Sequence, residues 1–259
     1  MPLFQPLNPP ISSFKGLRVW VVGASTGIGA ATAGRLLALG AKVAVSARTA
    51  ASLEAQFGGS AIVLPLDVTD AEATRRAAEK LVAEWGGVDL VLSVAGTYKA
   101  MRAWEIDLPE TGRIVDVNFT GVMNLFAAVQ PTLMKQGAGG FGIVASVAGY
   151  GGLPNSLAYG ASKAACINLA ESLYLDLRKR GIAVYLITPG FVATPLTAKN
   201  EFPMPFLISA DKAATEIVSG IARGDFEIHF PRTFSRLLKA INFLPYRMYF
   251  WCVHRFTGL

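Results

Sequence analysis

Sulfur and imidazole are scarce in this chain of 259 residues, which has two cysteines and two histidines. Cys166 and Cys252 are too few for a disulfide framework, so a reducing, cytoplasmic setting is expected. His229 and His254 share no metal-ligand spacing with each other or with either cysteine, and no metal is expected. Charge is also sparse: 16% of residues are charged against 52% hydrophobic. That balance excludes a disordered chain and fits one large buried core. No apolar run approaches the ~20 residues that cross a bilayer, and residues 1–16 hold prolines but no apolar core of signal-peptide length. Acidic residues are missing altogether from 231–259, which carry Arg232, Arg236, Lys239, Arg247 and Arg255. Those five account for most of the net charge of +6, leaving 19 basic against 18 acidic residues elsewhere. A nearly neutral body argues against a surface that tracks nucleic-acid phosphates.

What is present is an alternation. Short β-branched runs at 18–22, 42–46, 61–66, 88–93, 142–145 and 183–188 are separated by helical stretches. The runs are continuously apolar, as in strands covered on both faces, so an α/β fold with a doubly wound parallel sheet is expected. Glycines at 40, 58–59, 86–87 and 139–140 read as turns. No linker divides the chain and no repeat appears, so residues 1–230 are expected to form one dinucleotide-binding and catalytic domain, with 231–259 as a helical extension of it.

The first strand runs into Gly23-Ala24-Ser25-Thr26-Gly27-Ile28-Gly29 and then a helical stretch. A strand, glycine turn and helix in that order hold a dinucleotide, because a pyrophosphate must approach the N–H groups of a helix N-terminus closely. Ser25 and Thr26 can add hydroxyl donors. The second strand ends in Ser46-Ala47-Arg48, with an arginine where an NAD site would want a carboxylate for the ribose 2′-hydroxyl. NADP(H) is therefore favoured over NAD. Asp67 follows the third strand and suits either an adenine amino group or the cap of the next helix. Tyr159 and Lys163 stand at i and i+4, on one helix face, where a phenol and an ammonium can form an acid–base pair. Ser146 lies thirteen residues before Tyr159 at a strand end, and Asn118 lies in a helical stretch.

With these motifs in this order, residues 15–230 resemble the short-chain dehydrogenase/reductase family. The resemblance implies a Rossmann fold and a catalytic tetrad of Asn118, Ser146, Tyr159 and Lys163. It also implies cofactor contacts from Gly23, Ser25, Thr26, Gly27, Ile28, Gly29, Arg48, Asp67, Val68, Ala95, Gly96, Tyr159, Lys163, Pro189, Gly190, Val192 and Thr194. Ser93-Val94-Ala95-Gly96 departs from the family's Asn-Asn-Ala-Gly, and Val22 stands where the family usually has Thr; both lie at neighbouring strand ends, where the two changes are expected to compensate. The implied reaction moves a hydride between nicotinamide and a ketone or secondary alcohol. In it Tyr159 handles the proton, Lys163 together with the oxidised nicotinamide favours its phenolate, Ser146 bonds the substrate oxygen and Asn118 holds a water that links Lys163 to solvent. The alternative is a nucleotide-binding regulatory or scaffold protein that does not turn over. A homodimer or homotetramer is expected. Cys166, one turn past Lys163, reads as a small core residue.

The segment from 194 to 208 holds Phe202, Pro203, Met204, Pro205 and Phe206, which predicts a bulky, apolar, lipid- or steroid-like substrate. In the tail, Phe234, Leu237, Leu238 and Ile241 follow helical spacing among basic and aromatic neighbours. Such a helix can pack on the core and shape the substrate entrance, or make peripheral contact with an anionic membrane.

Overall fold

The computed structural model describes residues 5–198, 200 and 202–258. Strands β1 (Arg18–Val22), β2 (Lys42–Ser46), β3 (Ile62–Val63), β4 (Leu90–Ser93), β5 (Gly139–Val144), β6 (Ile182–Pro189) and β9 (Glu227–Phe230) form one sheet in the order β3-β2-β1-β4-β5-β6-β9, all pairs parallel. A separate parallel pair joins β7 (Val192–Ala193) to β8 (Ile208–Ser209). The helices are α1 (Gly27–Ala38), α2 (Ala50–Phe57), α3 (Ala71–Trp85), α4 (Leu108–Val115), α5 (Gly121–Gln136), α6 (Leu157–Leu177), α7 (Ala210–Arg223), α8 (Arg232–Asn242) and α9 (Tyr246–Thr257). The strand order reverses at β1, the doubly wound arrangement.

Both sheet faces are covered, which is why the strands read as unbroken apolar runs. On β1, Val19 and Val21 point to a core shared with Leu36 of α1 and Ile217 and Ile221 of α7. Trp20 and Val22 point to the other core, with Leu81 of α3, Leu125 of α5 and Ala170 of α6. Trp20 is fully buried, and its indole N–H donates to Ser46 Oγ at 2.9 Å, so its polar edge is satisfied.

Besides small shifts at the ends of β4 and β6, and the short β7–β8 pair, which was not expected, three strands differ from expectation. β3 is regular over two residues instead of running to Leu66, although the Leu64 and Leu66 N–H groups still donate to the Val45 and Ala47 carbonyls at 2.9 and 3.1 Å; Pro65 sits between them at the sheet edge, where its missing N–H breaks no bond to β2. β5 begins at Gly139, inside the expected turn; a Cβ at Gly140 would lie 2.9 Å from the Tyr185 ring, so glycine here admits a neighbouring side chain. β9 was not expected, since its two buried residues, Ile228 and Phe230, alternate with polar ones. The altered strand ends are direct neighbours: Val22 pairs with Ser93 in register, and the Val22 carbonyl accepts from the N–H groups of Val94 and Ala95 at 2.8 and 2.9 Å.

Candidate active site

The glycine turn lies at the C-terminal end of β1, at the reversal of strand order. Gly23 and Gly27 have φ of +97° and +58°, which a side chain would strain, and a Cβ at Gly23 would meet the Ala95 nitrogen at 2.3 Å. A Cβ at Gly29 would meet the Gly23 carbonyl at 2.1 Å. The N-cap of α1, Thr26, makes no side-chain capping bond, so the first-turn N–H groups face the cleft without a side-chain partner. An uncapped, cationic helix end behind a turn without side chains fits a pyrophosphate.

All the residues expected at the cofactor line this one cleft: Gly23, Ser25, Thr26, Gly27, Ile28, Gly29, Arg48, Asp67, Val68, Ala95, Gly96, Tyr159, Lys163, Pro189, Gly190, Val192 and Thr194. Arg48 is exposed there. Asp67 does not cap α3, a task performed by Asp70, whose carboxylate accepts from the Ala73 N–H. Asp67 instead folds back on Thr69, accepting from its N–H at 3.0 Å and its hydroxyl at 2.8 Å. The Thr69 N–H foremost, with more distant help from Arg48, holds this carboxyl below the usual carboxylate range.

Ser146, Tyr159 and Lys163 converge on the same cleft. Ser146 follows β5 and caps a single 3-10 turn, accepting from the Ala148 N–H at 3.1 Å; this leaves its own proton free to be donated. Lys163, 4% exposed, donates to the Val144 carbonyl at 2.8 Å, and its Nζ lies 5.8 Å from the centre of the Tyr159 ring. Burial pushes the Tyr159 phenol up to about 12 against the opposing bond to Ser146. Burial also lowers the Lys163 ammonium. The Ser146 bond is what opposes this burial within the chain; the expected phenolate rests on the charge of oxidised nicotinamide together with that of Lys163.

Asn118 lies in a π-helical turn, Asp116–Thr120, between α4 and α5. Its Oδ1 accepts from the Thr97 N–H at 2.8 Å, and its Nδ2 donates to the Thr97 carbonyl and Ser162 Oγ, both at 3.0 Å. The amide thus holds the backbone just after Gly96 and the helix of Tyr159. Cys166 is buried as expected and donates its thiol to the Asn118 carbonyl at 3.0 Å.

Sequence reading did not find two aromatic features. Tyr98 stands edge-on to Tyr159 with ring centres 5.0 Å apart. Phe191 stacks on Phe234 of α8 at 5.6 Å, Phe234 on Phe206 at 5.9 Å, and Phe191 meets Phe202 edge-on at 6.0 Å. The local signal was limited to Tyr98 closely following Gly96 and Phe191 following Gly190. Lys199 and Glu201, within the 194–208 segment, fall outside the described residues. Among the described residues no group of histidine, cysteine or carboxylate side chains could hold a metal.

Residues 18–203 match the family model described as short chain dehydrogenase. The chain belongs to the short-chain dehydrogenase family. An uncharacterized oxidoreductase of Myxococcus xanthus is 40% identical over 217 residues, 82% of this chain and 86% of the relative. A 3-oxoacyl-(acyl-carrier-protein) reductase of Salmonella typhimurium is 35% identical over 188 residues, 71% of this chain and 77% of that protein. Among solved structures, a short chain dehydrogenase/reductase from Burkholderia phymatum in complex with NAD superposes with a TM-score of 0.81 at 24% identity, covering 88% of this chain and 94% of the other. As a short-chain dehydrogenase the protein is an NAD(P)-dependent oxidoreductase, which sets aside the non-catalytic scaffold reading.

Proposed function

We propose that the protein is an NADP(H)-dependent oxidoreductase that interconverts a bulky, apolar ketone and its secondary alcohol, with Tyr159 as the proton donor to the carbonyl oxygen. The observation that carries this reading is the convergence of Ser146, Tyr159 and Lys163 on the cleft that the glycine turn opens into. Bound nicotinamide supplies the hydride. The Tyr159 phenol, protonated across the neutral range, gives its proton to the oxygen as negative charge develops there. The Ser146 hydroxyl donates to the same oxygen, since the Ala148 N–H already occupies it as an acceptor. Lys163 is held by Val144 beneath the Tyr159 ring and keeps further N–H donors for the nicotinamide ribose. Asn118 acts through Thr97 and Ser162 and is a positioning residue.

The preference for NADP(H) rests on Arg48. It follows β2 with no acid nearby in sequence, and Asp67 across the cleft is already engaged by Thr69. A guanidinium suits a 2′-phosphate, for which a carboxylate would be repulsive. The apolar substrate rests on the stacked rings of Phe191, Phe202, Phe206 and Phe234, a wall that meets the cleft at Gly190, beside Phe234. The Salmonella relative, a reductase of a 3-oxoacyl group, acts on a ketone carried by an aliphatic chain, in keeping with this wall.

The test is to follow nicotinamide absorbance with NADPH or NADH and a series of ketones of increasing apolar bulk. Faster NADPH oxidation with the larger ketones is expected. Equal use of NADH overturns the cofactor assignment, and preference for small polar ketones overturns the substrate class.

A further inference from the structure

We infer that the outward face of α8 and α9 docks on an anionic lipid bilayer. The two helices divide their residues sharply. Their inner side is fixed to the body: Phe234 stacks on Phe191, Ser235 Oγ lies 2.6 Å from His229 Nδ1, Lys239 pairs with Glu227, and the Tyr249 hydroxyl donates to the Gly152 carbonyl at 2.6 Å. The outer side is aromatic and uncovered, with Phe243 90%, Tyr246 79%, Trp251 66% and Phe250 61% exposed. Large aromatics grouped in this way mark a contact surface, since single exposed apolar residues are ordinary and a cluster is not.

Charge decides what the surface contacts. Arg232, Arg236, Arg247 and Arg255 are exposed on the same two helices, none of them ion-paired among the described residues, and 231–259 contain no Asp or Glu. A second copy docking face to face across a two-fold axis would oppose arginine to arginine at the desolvated centre. An anionic bilayer places counter-charge opposite every guanidinium and takes aromatic rings at headgroup depth. α9 has 12 residues, so it lies along the surface and does not cross it. Since Phe234 also belongs to the aromatic stack proposed to face the substrate, and lies beside Gly190 of the cleft, docking brings the proposed entrance for apolar substrate close to the lipid; this last point rests on the proposed function, and the docking does not.

The test is co-sedimentation of the full chain with vesicles of phosphatidylcholine alone or mixed with phosphatidylglycerol. Binding to the mixed vesicles only, reversed by high salt, is expected. Arg247→Gln together with Arg255→Gln should weaken it about thirtyfold, the effect of two charges near the surface. Trp251→Ala should weaken it while turnover of a water-soluble ketone stays at the wild-type rate. The inference is overturned if the folded protein ignores mixed vesicles, if neither variant alters binding, or if Trp251→Ala instead abolishes a concentration-dependent self-association. Vesicle binding without reduction of any ketone overturns the proposed function and leaves the docking standing.

Discussion

In the proposed mechanism Tyr159 carries the proton; burial raises its phenol and a hydrogen bond with Ser146 opposes that rise. Replacing only its hydroxyl tests this assignment with little disturbance to packing, since the ring stays against Tyr98. Tyr159→Phe is expected to bind NADPH and melt as the wild type does, with turnover lower by roughly two to four orders of magnitude; more than a tenth of the activity remaining would remove Tyr159 from the role. Arg48 is tested by affinity. Its exposed guanidinium makes no ion pair among the described residues, so Arg48→Ala should leave folding intact. Loss of one charge-assisted hydrogen bond, about 1.5–3 kcal/mol, should raise the dissociation constant for NADPH at least tenfold and hardly alter that for NADH. Fluorescence titration with both nucleotides reads the difference directly.

Among the elements, α8 is held by a polar chain that reaches β9 and β6. Lys239 bonds one oxygen of Glu227, while the Tyr150 hydroxyl donates to the other at 2.8 Å and lies 2.7 Å from Thr188 Oγ1. Burial pushes the Glu227 carboxyl up, but the bonds from Lys239 and Tyr150 outweigh it and hold it below the ordinary glutamate value. A carboxyl with a depressed folded value stabilises the fold above its unfolded value and loses that contribution as pH falls through the depressed one. Glu227→Gln should therefore unfold at lower urea than wild type at pH 7, by roughly 1.5–3 kcal/mol, and the gap should close in acid. A gap that persists unchanged at low pH would show that the ion pair is not its source. Sequence and structure part company at this scale. The limits of β1 and β2 were legible because both strands are central and buried on each face. The short β3, the glycine start of β5 and the edge strand β9 were not, since each depends on a partner strand or a neighbouring side chain instead of a local pattern. In the same way the glycine turn and the Tyr159–Lys163 spacing are local and could be read directly, whereas the aromatic wall joins residues from 191 to 234 that only the fold brings together.

For the whole molecule, cofactor binding and folding draw on the same residues. NADPH at a hundred times its dissociation constant adds about 2.7 kcal/mol to stability, which for a chain of this size raises Tm by about 5–10 °C. Calorimetry should show that rise for wild type and a much smaller one for Arg48→Ala. Gly23→Ala is expected to yield little folded protein with or without nucleotide, because its methyl would sit 2.3 Å from the Ala95 nitrogen in a joint between two central strands. A normal melting curve for that variant would mean the joint can open. The opposite edge of the sheet is closed by the start of the chain. Asn8, 3% exposed, donates to the Val184 carbonyl at 2.8 Å and accepts from the Val184 N–H at 3.1 Å, and the Leu7 carbonyl takes the Tyr174 hydroxyl. The partner of Asn8 is made 176 residues after it. At about 5–20 residues per second of synthesis that interval lasts roughly 9–35 s. Until β6 is made the Asn8 amide stays in water and the finished β5 lacks its neighbour on that side, so the growing chain on the ribosome is more open to mispairing and to capture by chaperones than the finished fold.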